Sequence, residues 1–238
     1  MKRQEALRAM VEDSNFTDGV QVLAIGSSST EGIGASSSDQ SYPHQLEITL
    51  ETLLGDADVA VQNAGTGGET ADATVLRLER ALKQPAKPDL VIWQVGTNDA
   101  VKGGDEAEFQ MLLERGVAAA REAGVDLILL DQQFYPAIPD PQRYERYVRM
   151  VGSVADKAKV GLFSRYQMMR DWAASNPDIL AAMLSKDRFH MGDRGYRCLA
   201  KALGGEIALA VEATLTRSIP VARARRIEAP AGQVAKRS

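Results

Sequence analysis

The chain reads as an α/β protein: a five-stranded parallel sheet covered by helices on both faces, a three-layer α/β/α sandwich. Three observations predict it. Short runs rich in Val, Ile and Leu recur along the sequence, amphipathic segments separate them, and clusters of small polar residues follow the runs directly. Strands buried on both faces lose the apolar/polar alternation of half-exposed ones, so continuous apolar runs suit a parallel sheet. Repeated strand and helix units imply right-handed crossovers and one covered sheet.

In order, the predicted strands are Val20 to Ile25, Ala57 to Val61, Leu90 to Val95, Leu127 to Leu130 and Val160 to Phe163. The first is followed by a Ser/Thr-rich turn, and His44 to Leu54 then repeats apolar residues at helical spacing. The same spacing predicts helices over Thr70 to Leu82, Asp105 to Ala123, Gln142 to Lys159 and Gly195 to Thr214. Gly124 after Ala123 is a helix-stop signal. Three prolines, Pro136, Pro139 and Pro141, stiffen the segment Gln132 to Pro141, as a wall of a cleft or a rigid connection.

Composition bounds the function. With 238 residues, 45% hydrophobic and 25% charged, the chain fits one domain of the larger kind or two small ones, able to hold a core without metal or disulfide. The single cysteine, Cys198, forms no internal bridge. Six basic residues against Glu228 give residues 217–238 a charge of +5, so residues 1–216 carry −9 of the net −4. An acidic body argues against a nucleic-acid partner. The division expected is a 1–19 N-terminal extension, a 20–216 catalytic domain and a 217–238 basic tail that reads as disordered. The first residues contain no uninterrupted apolar stretch of the signal-peptide kind, and no membrane-span-length apolar run occurs. As the sequence stands this points to a cytoplasmic protein; an export signal upstream would make it periplasmic or secreted.

Ligands of a parallel sheet collect at the carboxyl ends of its strands. There the chain places Gly26-Ser27-Ser28-Ser29-Thr30, then Asn63-Ala64-Gly65-Thr66-Gly67-Gly68-Glu69-Thr70, then Gly96-Thr97-Asn98-Asp99, then Asp131-Gln132-Gln133, with Asp187-Arg188-Phe189-His190 before the last helix. In these blocks the sequence resembles the SGNH, or GDSL, hydrolases, serine esterases and acyl-transfer enzymes on a flavodoxin-like sandwich. The resemblance spans residues 20–216, with four motifs in the family's order. It implies Ser28 as nucleophile, Asp187 and His190 as its partners, and an oxyanion hole from Ser28, Gly68 and Asn98. One position departs: the Asp of the family's Gly-Asp-Ser block is Ser27 here.

The residues carry the chemistry without the family. A serine hydroxyl attacks only when a base takes its proton, and histidine suits that task near neutrality. Of the two histidines, His44 opens a helix and reads as a surface or partly packed residue. His190 follows Asp187 by three residues in a loop, which lets a carboxylate hold one ring nitrogen while the other faces Ser28. Asp193 is equally close in sequence, but it sits where a helix cap is expected. Ser27 and Ser29 can satisfy backbone groups of the turn, and they stand next in line should Ser28 not be the nucleophile.

Two readings compete. A phosphate cradle for flavin explains the serine loop alone and leaves Asp187 and His190 without work. A catalytically silent carbohydrate-binding module would keep the fold, although Ser27 is the only altered motif position. The preferred function is hydrolysis of a small acyl ester, such as an acetyl group on a carbohydrate or similar polar alcohol, with Gln132, Gln133 and Tyr135 facing the substrate. An O-acyltransferase, lipase or thioesterase would use the same residues. No cofactor and no metal are expected, and the sequence does not specify an oligomeric state.

Overall fold

In a computed structural model, which describes residues 19–55 and 58–218, five strands form one parallel sheet. The strands are β1 (Val20–Gly26), β2 (Val59–Gly65), β3 (Leu90–Gln94), β4 (Asp126–Leu130) and β5 (Gly161–Phe163), in the order β2-β1-β3-β4-β5. The helices are α1 (Ser28–Glu31), α2 (Tyr42–Leu53), α3 (Ala71–Leu82), α4 (Thr97–Lys102), α5 (Glu106–Ala123), α6 (Pro141–Ala158), α7 (Arg165–Ser175), α8 (Pro177–Met183) and α9 (Asp193–Ser218). Gly19, Arg217 and Ser218 are the only described residues of the expected N-terminal extension and basic tail; the rest lies outside the described residues. Among the described residues no helix is long and apolar enough to cross a membrane.

The sheet buries both faces. Leu23, Ile25, Val91, Trp93, Leu127 and Leu129 pack with residues of α3, α5 and α6 on one side. Val22, Ala24, Ile92 and Leu130 pack with residues of α2 and α9 on the other. Side chains of a strand alternate between faces, so one continuous apolar run fills two cores. The order reverses at β1, which lies between β2 and β3. The crevice at that switch point is where such sheets bind ligands, and it is lined by the turns after β1, β2 and β3.

Three regions differ from expectation. β2 runs on to Gly65, four residues past the predicted end, because it pairs with β1 through Ala24↔Asn63, Ile25↔Ala64 and Gly26↔Gly65. The segment between Phe163 and Asp187, to which no element is assigned above, forms α7 and α8, started by side chains of Ser164 and Asn176 that accept from backbone N–H groups. The turn after β3 is helical, as α4. Asp105 and Asp140 cap α5 and α6 in the same way, each accepting from the N–H three residues on.

Gly116 on α5 faces the Trp93 ring so closely that an added methyl would overlap it. Gly116→Ala should therefore cost about 1–3 kcal/mol, the usual penalty of overpacking, despite the better helix propensity of alanine. Urea unfolding measures this, and an unchanged midpoint would show that the Trp93 layer gives way freely.

Candidate active site

The turn after β1 is built around one buried amide. Gln94, at the end of β3 and 1% exposed, accepts through Oε1 from the Ser27 N–H at 3.0 Å, the Ser27 hydroxyl at 3.1 Å and the Thr30 hydroxyl at 3.3 Å. Gly26 makes room for this, since a Cβ there would press into Thr30 and Gln94. The Ser29 hydroxyl is also turned inward and donates to Gln133 Oε1 at 2.9 Å. Of the three consecutive serines, Ser28 is the one whose hydroxyl meets a histidine.

Ser28 Oγ lies 2.9 Å from His190 Nε2, and His190 Nδ1 lies 2.7 Å from Asp187 Oδ2. The other Asp187 oxygen accepts from the Ser185 hydroxyl at 2.6 Å and from the N–H groups of Phe189 and His190, each at 2.9 Å. Partial burial opposes the charge on Asp187, but hydrogen bonds from Ser185, the His190 ring and these two N–H groups outweigh it and hold the carboxyl well below the usual range. An ionised carboxylate only accepts, so the ring proton sits on Nδ1 and Nε2 is left to accept from Ser28. Arg188, with φ of 59°, takes the left-handed conformation that folds this loop back on itself. Asp193 does not compete: its two oxygens accept from the Ser36 N–H at 2.8 Å and hydroxyl at 2.7 Å, tying α9 to the loop after α1. His44 is half-exposed, 3.9 Å from Glu47.

On the other side of Ser28 stands the turn after β2. An added Cβ on Gly67 would be 4.0 Å from the Ser28 Cβ, and Gly68, with φ of 78°, has open space on its Cβ side. The Gly67 N–H donates to Glu31 Oε2 at 2.7 Å, and Lys102 Nζ donates to the Gly68 carbonyl at 2.7 Å. Asn98, in the first turn of α4, donates one amide N–H to the Glu69 carbonyl at 2.7 Å. The neighbouring Asp99 is buried and accepts from the Ala71 N–H at 2.9 Å, which joins α4 to the start of α3; burial raises its pKa. Gly96 precedes them with φ of 98° and lies against Gln132 and Phe109, so a side chain is excluded there on two grounds.

The expected substrate contacts divide. Gln132 and Gln133 are 0% and 1% exposed, so neither side chain reaches the cleft. Gln133 instead accepts from Ser29 and donates through Nε2 to the Phe189 carbonyl at 3.0 Å, while its own carbonyl accepts from Tyr144 at 2.8 Å. Their position just after a strand suggested a cleft wall; packing of α6 over the strand end turns them inward. Tyr135 remains partly exposed and packs edge-on against Phe189, ring centroids 5.0 Å apart, and Phe189 packs edge-on against His190 at 4.9 Å. Gln94, Glu31 and Phe189 are site neighbours that sequence reasoning passes over, although the last belongs to the Asp187 to His190 block.

Comparison with known proteins finds relatives of this chain and of its fold. A family model described as the non-GDSL lipase-like family matches residues 1–213. Esterase TesA of Pseudomonas aeruginosa is 31% identical over 143 residues, 59% of this chain and 68% of the relative. Its namesake crystal structure, TesA, superposes with a TM-score of 0.60 at 25% identity, covering 82% of this chain and 98% of that one. An arylesterase of Vibrio mimicus is 27% identical over 101 residues, 40% of this chain and half the length of the relative. The crystal structure of AlinE4, an SGNH-hydrolase family esterase, superposes with a TM-score of 0.59 at 26% identity, covering 82% of this chain and 97% of that one. The resemblance to SGNH hydrolases drawn from the four motifs is borne out.

The Gln133 amide bridges the loops of Ser28 and His190 from within the protein. Gln133→Leu keeps the volume and strands two buried partners, so unfolding free energy should fall by about 2 kcal/mol or more. Chemical denaturation reads this directly, and a loss below about 0.5 kcal/mol would remove the bridge from the account of stability.

Proposed function

The chain belongs to the non-GDSL lipase-like family and is, like its relatives, a carboxylic ester hydrolase; we propose that it works through a Ser28, His190 and Asp187 triad and an acyl-enzyme intermediate. The observation that carries this reading is the unbroken chain of hydrogen bonds from Ser28 to Asp187, 2.9 Å and then 2.7 Å.

His190 Nε2 takes the Ser28 proton as Oγ attacks the ester carbonyl carbon, and ionised Asp187 stabilises the imidazolium that forms. Negative charge moves to the carbonyl oxygen. Three donors converge on it: the N–H of Ser28, free because the first turn of a helix lacks internal acceptors, the N–H of Gly68, and the second amide N–H of Asn98. Collapse of the tetrahedral intermediate expels the alcohol, which leaves with the proton from His190. Water then attacks the acyl-serine with His190 as base, and the same steps in reverse release the acid and restore Ser28.

The alcohol half of the substrate must lie beside His190, because that ring protonates the leaving oxygen. There it meets the Phe189 and Tyr135 rings. Aromatic rings beside a leaving group favour a ring-bearing alcohol, which supports a small acyl ester of a carbohydrate. The same edge favours a second reading, an aryl ester, in line with the arylesterase relative. A panel of p-nitrophenyl esters of increasing acyl length, followed by acetylated sugars, ranks the two. Activity confined to long acyl chains would overturn both.

Ser28→Ala or His190→Ala should lower turnover by about 10⁴ or more in a folded protein, because members of a triad act as a unit. Asn98→Ala should lower kcat by roughly 10² to 10³ with KM little altered, the mark of a donor that acts as charge develops. Full activity of Ser28→Ala would move the nucleophile elsewhere. Tyr135→Ala should raise KM for an acetylated sugar about two- to tenfold while sparing kcat, in proportion to one lost ring contact; equal KM values would take Tyr135 out of the alcohol site.

A further inference from the structure

We propose that Arg77 is the positioning residue of the oxyanion hole, its guanidinium setting the spacing of the strand ends and turn that carry Ser28, Gly68 and Asn98. The inference rests on the donor assignment above.

Arg77 projects from α3 and reaches three separate pieces of chain. Nη2 donates to the Gly26 carbonyl at 3.1 Å, at the end of β1 and two residues before Ser28. Nη1 donates to the Ala64 carbonyl at 2.8 Å, at the end of β2. Nε donates to the two Glu69 carboxylate oxygens at 3.1 and 2.9 Å, and Nη2 adds a further bond to that carboxylate. The backbone carbonyl of the same Glu69 accepts the Asn98 amide at 2.7 Å. One planar group is therefore bonded to the strand that leads to the nucleophile, to both flanks of the glycine turn, and through a single residue to Asn98.

The turn needs such a holder. Thr66-Gly67-Gly68 follows the edge strand β2, and glycines bring maximal backbone freedom with no side chain to pack. Gly68 takes a left-handed φ of 78° with open space beside it, so nothing on its Cβ side holds it. Its preorganisation comes from neighbours: Glu31 on the Gly67 N–H, Lys102 on the Gly68 carbonyl, and Arg77 on Glu69. Of these, Glu31 lies on the helix of Ser28 itself, while Arg77 bonds the end of β1 at the Gly26 carbonyl that also accepts from the Thr66 N–H at 3.0 Å, so Arg77 is the one of the three that joins the donor turn, the end of β2 and the end of β1. A guanidinium suits the task because its N–H groups form a rigid fork in one plane, whereas an ammonium is a point charge with freely turning donors. Arg77 makes its bonds to the protein; its effect on the reaction passes through where Gly68 and Asn98 stand. Oxyanion donors work at 2.7–3.1 Å, and about 1 Å of misplacement can cost about 10² in rate.

The test compares Arg77→Met, Arg77→Lys, Asn98→Ala and the double variant Arg77→Met/Asn98→Ala on p-nitrophenyl acetate. Rates are expressed per serine titrated with an organophosphonate and taken well below each variant's Tm. Arg77→Met should lower kcat by about 10- to 100-fold with KM within about twofold, and Arg77→Lys should restore little of it. The double variant should lose clearly less than the product of the two single losses, because both act on the same donors. A residue that only stabilises the fold would lower Tm and leave kcat per titrated serine unchanged. That result, or full multiplication of the two losses, overturns the proposal. Should Arg77→Met fail to fold, Arg77→Lys and Glu69→Gln carry the same kcat and KM comparison. If Asn98→Ala leaves kcat unchanged, the donor assignment itself falls; if Asn98→Ala lowers kcat and the Arg77 variants do not, this inference alone falls.

Discussion

A hydroxyl and an imidazole 162 residues apart in the chain must stand 2.9 Å apart in space, and most of the polar architecture at this end of the sheet follows from that constraint. Ser28 is brought to the switch point by β1, and His190 by the segment that leads into α9. The two are joined from below by the buried amide of Gln133, which touches Ser29 on one side and Phe189 on the other. Hydrogen-bonded amides in a buried layer specify position more sharply than apolar contacts, because every misplacement leaves a donor or acceptor unpaired.

Beneath this bridge lies a second polar layer. Arg165, at the start of α7, is fully buried, and its Nε donates to the Asp131 carbonyl at 3.1 Å. Burial pulls its pKa down, while the nearby Tyr144, Asp131, Tyr196 and Tyr42 act to support the charge. Burial in turn pushes Asp131 up to about 6, although the Ser164 hydroxyl at 2.7 Å and the Tyr166 N–H at 2.8 Å act in the opposite direction. Tyr42 is raised to about 12 by burial, so it stays a neutral hydroxyl that pairs with Thr30 in the turn after β1 at 3.3 Å. Tyr196, likewise raised by burial, donates to the Ile33 carbonyl at 2.6 Å just beyond that turn. The turn that carries Ser28 thus rests on side chains drawn from α2, β3, the segment after β4 and α9, each oriented by burial and hydrogen bonding.

The two halves of the site are supported differently. On the side of His190, the proposed base, the Asp187 to His190 loop gathers four donors on one carboxylate, all from residues within three positions of it, with Gln133 bonded to the Phe189 carbonyl from outside. On the side of the proposed oxyanion hole, a glycine turn carries few side chains of its own and is held by Glu31, Lys102, Arg77 and Asn98 from three other elements. Disturbance of distant packing should therefore reach the oxyanion side first.

The α/β class, the five strands and the principal helices are legible in the amino-acid sequence, as are the motif positions Ser28, Gly68, Asn98, Asp187 and His190. The elements and the Asp187–His190 pair are legible because their information is local: buried parallel strands are apolar throughout, amphipathic helices repeat at helical spacing, and an acid three residues before a histidine is already close to it; Gly68 and Asn98 stand out only through the resemblance to the SGNH motifs. Tertiary structure decided the rest. It turned Ser27 toward Gln94 and Ser29 toward Gln133 and set Ser28 against His190. It drew Gln132 and Gln133 inward, extended β2 to Gly65 by pairing it with β1, and made helices of the segment after β5. A glutamine at a strand end and an arginine on a helix look like solvent-facing residues in one dimension. Gln94 and Gln133 are buried and Arg77 is partly so, and each finds its partners because the order β2-β1-β3-β4-β5 places loops from distant parts of the chain against it, where a polar group withdrawn from water must be paired.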